Sequence, residues 1–123
     1  METTTLVRFD QNEDASFYLC RQCKTHVALQ QELLHKIVHN HHGLFNNMVN
    51  VALGQNYAVV TDQITATASC INCNSNFGAK FISLKFETPA IKAGRFMIDM
   101  TNLLLWKGNR LVYAHTEEPV QNA

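Results

Sequence analysis

The sequence has no excess of charge, and its basic residues form no cluster. Ten Lys and Arg residues balance ten Asp and Glu residues, and the basic ones are spread singly between Arg8 and Arg110. Nucleic-acid binding normally requires a basic surface that displaces counterions from phosphates. We therefore expect no nucleic-acid partner.

Long apolar runs and an export signal are missing as well. Residues 1–5 are polar, Arg8 interrupts the apolar stretch that follows, and no run reaches the roughly 20 residues of a membrane helix. We expect an intracellular protein without a membrane partner.

No low-complexity linker divides the sequence. We expect a single zinc-binding domain over residues 16–114, preceded by an N-terminal strand or flexible lead at residues 1–15. Residues 115–123 are expected to form a polar tail that frays.

Familiar catalytic motifs are also absent. The sequence contains no Gly-x-Ser-x-Gly turn, no phosphate-binding glycine loop and no cysteine outside two Cys-x-x-Cys pairs. We predict that the protein is not an enzyme. Methionine sulfoxide reductases of the B type also carry two such pairs on a sheet fold, but they need a further reactive cysteine. One alternative is therefore a protein with the fold of these reductases but without their activity.

The pairs themselves are the strongest feature of the sequence. They are Cys20 with Cys23 and Cys70 with Cys73, and 46 residues separate Cys23 from Cys70. Four thiolates suit one tetrahedral Zn²⁺, and a zinc bound by four cysteines keeps no open position for water. We predict one structural zinc that ties two distant parts of the chain together, and its removal should loosen or unfold the fold.

Other interpretations of these cysteines are two disulfides in a secreted protein, or four inert buried thiols. A third uses only the first pair, because Cys20-x2-Cys23-x11-His35-x3-His39 is one residue short of a DNA-binding zinc finger. The finger interpretation leaves Cys70 without a role and lacks basic neighbours.

Four of the six histidines lie close together in the sequence. They are His35, His39, His41 and His42. Their spacing permits a second metal site, but such residues more often decorate an exposed helix and loop, which is the interpretation we favour. His26 follows the first cysteine pair, and we expect it to donate a hydrogen bond near the thiolates.

The apolar pattern predicts a mainly β protein. Strands are predicted at residues 48–53, 57–61, 64–69, 80–86, 96–100, 103–106 and 111–113. Apolar residues at 29, 33, 34 and 37 predict a short helical segment near residues 29–38. A strand runs into each cysteine pair, so we expect two similar antiparallel half-sheets that each contribute a hairpin tip to the metal.

Several strings in this sequence resemble the Yippee family in content and in order. They lie at residues 18–28, 44–51, 70–73, 78–81 and 92–96. They include both cysteine pairs and a Phe-Asn-x-x-x-Asn-Val string at residues 45–51, and they cover most of the chain from Phe17 to Asp99.

The resemblance implies a β-tent, in which two antiparallel sheets meet and one zinc on all four cysteines pins them. Yippee proteins share this architecture with Mis18 and with the ligand-binding domain of cereblon. The family implies a nuclear or cytoplasmic protein that binds protein partners, with roles in growth, cell division or ubiquitin-ligase assemblies. No enzymatic activity is attached to it.

The sequence departs from the family where relatives build an aromatic pocket. The family string Gly-Trp-Lys-Tyr is Gly-Ala-Lys-Phe at residues 78–81, and the only tryptophan is Trp106. We therefore expect no tryptophan cage of the cereblon type. A small-molecule ligand pocket is predicted, by resemblance, at Asn50, Thr65, Ala79 and Phe81. The same side chains also suit a packed core.

Overall fold

The computed structural model describes residues 6–55 and 57–120, and within these ranges the chain forms eleven strands and three short 3-10 helices. In chain order the strands are β1 (Ser16–Cys20), β2 (His26–Leu29), β3 (Leu33–Ile37), β4 (His42–Phe45), β5 (Val51–Leu53), β6 (Ala58–Val60), β7 (Gln63–Cys70), β8 (Asn76–Leu84), β9 (Phe96–Asp99), β10 (Leu103–Lys107) and β11 (Leu111–Tyr113). The 3-10 helices are Gln30–Glu32, Val38–Asn40 and Met100–Asn102.

The strands form two antiparallel sheets, which confirms the predicted mainly β fold. The first sheet has four strands in the order β11-β10-β1-β2. The second has seven strands in the order β3-β4-β9-β8-β7-β5, and β6 also pairs with β7. Within the described ranges, no helix has the length and apolar character needed to cross a bilayer.

The main core joins side chains of both sheets. Tyr18 and Val27 of the first sheet belong to one buried cluster with Phe45, Phe77 and Ile98 of the second. The rings of Tyr18 and Phe45 meet edge to face, with centroids 5.2 Å apart. Such burial of large apolar side chains is the dominant stabilising contribution to folding.

The outer face of the first sheet carries a second, smaller cluster. Phe17, Leu19 and Leu104 are buried there, and Phe9 and Trp106 pack against them. Strand β1 is therefore covered on both faces, because Tyr18 and Cys20 point into the main core. This explains why its sequence is apolar at successive positions instead of alternating.

The predicted helical segment near residues 29–38 is wrong. Residues 33–37 form the edge strand β3, and only the flanking 3-10 helices Gln30–Glu32 and Val38–Asn40 are helical. Leu33 pairs with Phe45, and Ile37 pairs with His42, on β4. Pairing with a neighbouring strand thus overrides a local helical pattern, which the sequence could not show.

Both ends of the described chain contact the first sheet. Residues 6–15 contain no strand; instead, side chains hold this lead in place, and Trp106 Nε1 donates a hydrogen bond to Asn12 O over 3.1 Å. The expected tail packs back as far as Val120, whose N–H donates to Leu111 O over 3.0 Å. Residues 1–5 of the lead and 121–123 of the tail lie outside the described residues.

The hairpin between β10 and β11 turns at Gly108, which has a φ of +72°. Asn109 N donates to Lys107 O over 2.7 Å, and Lys107 N donates to Arg110 O over 2.9 Å. Glycine reaches positive φ without steric cost, so the Lys-Gly-Asn string makes the tight turn.

Candidate metal centre

The first cysteine pair lies in the tight turn between β1 and β2. Lys24 has a φ of 62°, which reverses the chain directly after Cys23. Lys24 N donates to Cys20 O over 2.8 Å, and Cys20 N donates to Thr25 O over 2.8 Å. These bonds point the two sulfurs to one side of the turn.

The second pair lies in an equivalent turn between β7 and β8. Asn74 has a φ of 65°, Asn74 N donates to Cys70 O over 2.9 Å, and Cys70 N donates to Ser75 O over 2.8 Å. The two turns therefore repeat each other bond for bond. The predicted pair of hairpin tips is confirmed, with one hairpin from each sheet.

The repeat extends to a third strand beside each turn. Cys20 pairs with Leu103 on β10, and Cys70 pairs with Val51 on β5. The residues before these partners are both asparagines. Asn102 O accepts from Arg21 N over 2.9 Å, and Asn50 O accepts from Ile71 N over 3.0 Å.

The four sulfurs converge between the sheets. All four Sγ atoms lie within 4.8 Å of one another. Two short approaches cross from one turn to the other, at 3.5 Å between the Sγ atoms of Cys20 and Cys73 and 3.5 Å between those of Cys23 and Cys70. A zinc ion with Zn–S distances of 2.3 Å needs sulfurs about 3.8 Å apart. The residues thus fit one tetrahedral ion with no free position.

The environment divides the four thiols into two kinds. Burial raises the pKa of Cys20 to about 12 and also raises the pKa of Cys70. Burial alone would raise the pKa of Cys23. Hydrogen bonds from the Thr25 side chain and backbone outweigh this effect and lower the pKa to about 6. The Ser75 hydroxyl lowers the pKa of Cys73 in the same way.

The two hydroxyls were missed by sequence reasoning. Thr25 Oγ1 lies 3.0 Å from Cys23 Sγ, and Ser75 Oγ lies 3.2 Å from Cys73 Sγ. Each hydroxyl stands two residues after the second cysteine of its pair, and this shared offset is the signal that could have revealed them. Hydrogen bonds to ligand sulfurs favour the thiolate form that a metal requires.

The histidines lie away from the sulfurs. His35 is on strand β3 and His39 is in the 3-10 helix Val38–Asn40, so they do not share a helix face as a zinc finger requires. The finger interpretation is therefore wrong. Among the described residues, the four cysteines are the only group of three or more His, Cys, Asp or Glu side chains whose ligand atoms converge.

His26 has a different role from the one expected. Its Nδ1 accepts a hydrogen bond from Phe9 N over 2.8 Å, and its ring lies 4.4 Å from the Phe17 ring, centroid to centroid.

Two other histidines, His41 and His115, contact each other, with ring centroids 5.3 Å apart. No sequence pattern predicted this contact.

The residues predicted to form a ligand pocket do not all come together. Thr65 pairs with Phe81 across β7 and β8, and Ala79 lies on the same face two residues earlier. Asn50 adjoins Val51, which pairs with Cys70. Thr65 lies five residues from Cys70 along β7, a distance of about 16 Å at 3.3 Å per residue. The asparagine thus belongs to the metal end of the sheet.

Comparison with known proteins bears on this architecture. A yippee-like protein of Arabidopsis thaliana is 31% identical over 93 residues, which cover 71% of this chain and 73% of that protein. The chain belongs to the Yippee-like family. A yippee-like protein of Solanum tuberosum is 30% identical over 92 residues, covering 70% of this chain and 71% of its own. Human yippee-like 4 is 29% identical over 93 residues. No protein-family model matches this Yippee-like chain.

A solved structure supports the fold of this Yippee-like protein independently. The Mis18 'Yippee-like' domain superposes with a TM-score of 0.63 at 16% identity. The match covers 76% of this chain and 96% of that domain. The expected kinship in architecture with Mis18 is therefore confirmed at the level of fold.

Proposed function

We propose that this Yippee-like chain is a non-enzymatic protein-interaction module whose fold depends on one structural Zn²⁺. The observation that carries the proposal is the closed set of four sulfurs, all within 4.8 Å of one another, at the junction of two hairpins from different sheets. Four thiolates favour zinc over magnesium or calcium, which prefer oxygen ligands.

A closed metal shell supports a structural role and not a catalytic one. A catalytic zinc needs an open position for water or substrate. The cysteines are also committed as a group, so none is free to serve as a nucleophile or as the reactive thiol of a sulfoxide reductase. The function of the protein then depends on the partners that its surface binds.

Exposed apolar side chains at one end of the second sheet support a protein partner. Val59 is 76% exposed, Val60 56% and Phe86 71%, at the same end of the second sheet. Apolar groups gathered on a surface mark interaction sites more often than scattered ones do. We place the protein in the nucleus or cytoplasm, in growth, division or ubiquitin-ligase assemblies, following the family. A small-molecule pocket at Thr65, Ala79 and Phe81 stays a prediction.

Quantitative affinity capture after crosslinking in cells tests the proposal. The double variant Val59→Lys/Phe86→Lys should lose a defined partner that the wild-type protein retains. Val38→Lys is the matched control, since Val38 is also 76% exposed but lies in a separate 3-10 helix. Both variants should keep zinc and melting temperature. Equal partner recovery by both variants would argue against this surface, and metal-dependent turnover of a substrate would contradict a non-enzymatic role.

A further inference from the structure

The backbone of Val7 is held by the side chain of Asn50. Asn50 Oδ1 accepts from Val7 N over 2.9 Å, and Asn50 Nδ2 donates to Val7 O over 2.8 Å. In an extended chain the N–H and C=O of one residue point to the same side, so a single amide can bind both. These contacts recognise main chain and are indifferent to the side chain at this position.

Asn50 is also held in place by contacts that do not involve residues 6–9. It has a φ of 57°, its backbone O accepts from Ile71 N beside the second cysteine turn, and its Nδ2 also donates to His26 O over 2.6 Å after the first. Both hairpins of the metal centre therefore orient this amide. A preformed polar group is what a recognition site requires.

Two residues further along, the contact becomes aromatic. Phe9 N donates to His26 Nδ1 over 2.8 Å. The Phe9 ring stacks on the His26 ring with centroids 5.7 Å apart and lies 5.4 Å from the Phe17 ring. The surface thus binds the backbone of one residue and the ring of the residue two positions later.

The chain's own segment fills this surface incompletely. A cavity of about 110 Å³ remains beside Val7, lined by Lys24 and Asn72. A second cavity of about 90 Å³ is lined by Phe9 and Glu32, and the buried Oε2 of Glu32 has no hydrogen-bond partner among the described residues. An aromatic side chain that carries a hydroxyl into this cavity would bring a hydrogen-bond donor for the Glu32 carboxylate.

The segment lacks sheet pairing. Residues 6–9 form no strand, Val7 is 44% exposed, and the hydrogen bonds of the segment's main chain go to the side chains of Asn50 and His26. A segment held in this way has a lower free energy of local opening than a strand paired within a sheet.

We propose that Asn50, His26 and Phe17 form a peptide-binding groove, which residues 6–9 of the same chain occupy in the structure described. The partner is an extended segment of another protein with an aromatic residue, preferably tyrosine, two positions after the residue whose backbone Asn50 binds. This inference rests on the proposed function and deepens it, because it names the site and the chemistry of the ligand. Residues 6–9 then compete with the partner.

Fluorescence anisotropy on purified, zinc-loaded full-length protein tests the groove. The probe is a labelled peptide with the sequence of residues 4–12. Phe9→Ala weakens the internal competitor, so this variant should bind the probe about tenfold or more tightly than the wild type, whose tethered segment acts at a high effective concentration. Val7→Pro, which removes the N–H donor, is the second opening variant if Phe9→Ala loses zinc. Opening variants that bind no better than the wild type would overturn the proposal.

Asn50→Gly added to Phe9→Ala locates the binding site. Glycine tolerates the positive φ of Asn50, so the backbone conformation is kept. The two hydrogen bonds to the peptide are lost, together with the bond from Asn50 Nδ2 to His26 O. Probe affinity should fall by about tenfold. The matched control is Asn74→Gly in the same background, because Asn74 has a φ of 65° on the other turn. Equal affinity of the two double variants would overturn the groove.

Peptide variants test the chemistry of the ligand. Tyrosine in place of phenylalanine should strengthen binding, and alanine should abolish it. Tyrosine binding no better than phenylalanine would refute the role given to Glu32. Concentration-dependent dimers of the wild type, formed by exchange of residues 6–9, would overturn assignment to a foreign partner. These measurements use purified protein and are separate from the cellular capture experiment. If the peptide does not bind, the capture result still tests the proposed function. If capture finds no partner, peptide binding can still be measured.

Discussion

The sulfurs of Cys20 and Cys73 lie 3.5 Å apart although the two residues are 53 positions apart in the chain. Cys20 ends a strand of the first sheet, and Cys73 lies in a hairpin turn of the second. Each sheet thus supplies half of one candidate ligand set, and a metal bound there would join the two sheets where the hairpin tips meet.

Loss of either half of this ligand set should have the same result. We expect Cys20→Ser and Cys70→Ser each to lose bound zinc and to unfold, because structural zinc contributes on the order of 10 kcal/mol of apparent binding free energy. Elemental analysis and circular dichroism measure the two effects. His35→Ala is the control and should retain one zinc per chain, since His35 lies on β3 and outside the sulfur cluster. Zinc loss only for the first pair would favour a finger.

The contact between the two sheets should also contribute substantially to stability. Phe45 is fully buried in the shared core and meets Tyr18 edge to face. We expect Phe45→Ala to lower the free energy of unfolding by about 3–5 kcal/mol, since it leaves a cavity. Phe86→Ala, at a position that is 71% exposed, should change it by less than about 0.5 kcal/mol. Similar values for both in denaturant unfolding would contradict a two-sheet core.

A side chain at Gly78 should not be tolerated. Gly78 has a φ of +152° on β8, and an added Cβ would collide with Met97 O on β9. We expect Gly78→Ala to destabilise the zinc-loaded protein by about 2–4 kcal/mol, from backbone strain and overpacking. Gly54→Ala is the control, because its Cβ would meet Thr67 Cβ at an ordinary 3.4 Å. Thermal unfolding should separate the two variants clearly, and equal melting temperatures would count against the pairing of β8 with β9.

His26 should make stability depend on pH. Burial and the nearby Arg8 lower its pKa in the folded protein below the ordinary 6.5. The unfolded chain therefore binds the proton first, so stability is complete above about pH 6.5 and declines as the pH falls below it.

Urea unfolding at about pH 7.5 and about pH 5.5 measures this effect. His26→Asn keeps a neutral acceptor for Phe9 N and should show a smaller decline. His115, whose pKa burial also lowers, is present in both proteins and cancels in the comparison. An equal decline in the two proteins would exclude His26 as a source.

Local sequence patterns predicted what local chemistry controls. A cysteine pair with two intervening residues can form a ligand turn almost independently of the rest of the chain, so the sequence indicated four candidate ligands. The structure brings their sulfurs together. The strand entering each turn was found for the same reason. The helical segment was not, because Leu33 and Ile37 take their conformation from pairing with β4.

The position of Asn50 shows the limit of the sequence more clearly. Its resemblance to a family string suggested a pocket with Thr65, Ala79 and Phe81, whereas its amide binds Val7 and His26. The hydrogen-bond partners of this amide lie on segments that are distant in sequence, so no local sequence pattern could predict them.

The amino-acid sequence by itself determined the candidate metal ligands, the dominance of strands and the family, since each depends on residue type and short spacing. Only the tertiary structure decided which sulfurs face each other, which sheet each hairpin joins and where residues 6–9 lie. These features arise from contacts between segments many residues apart, and their energies exist only once the chain has folded.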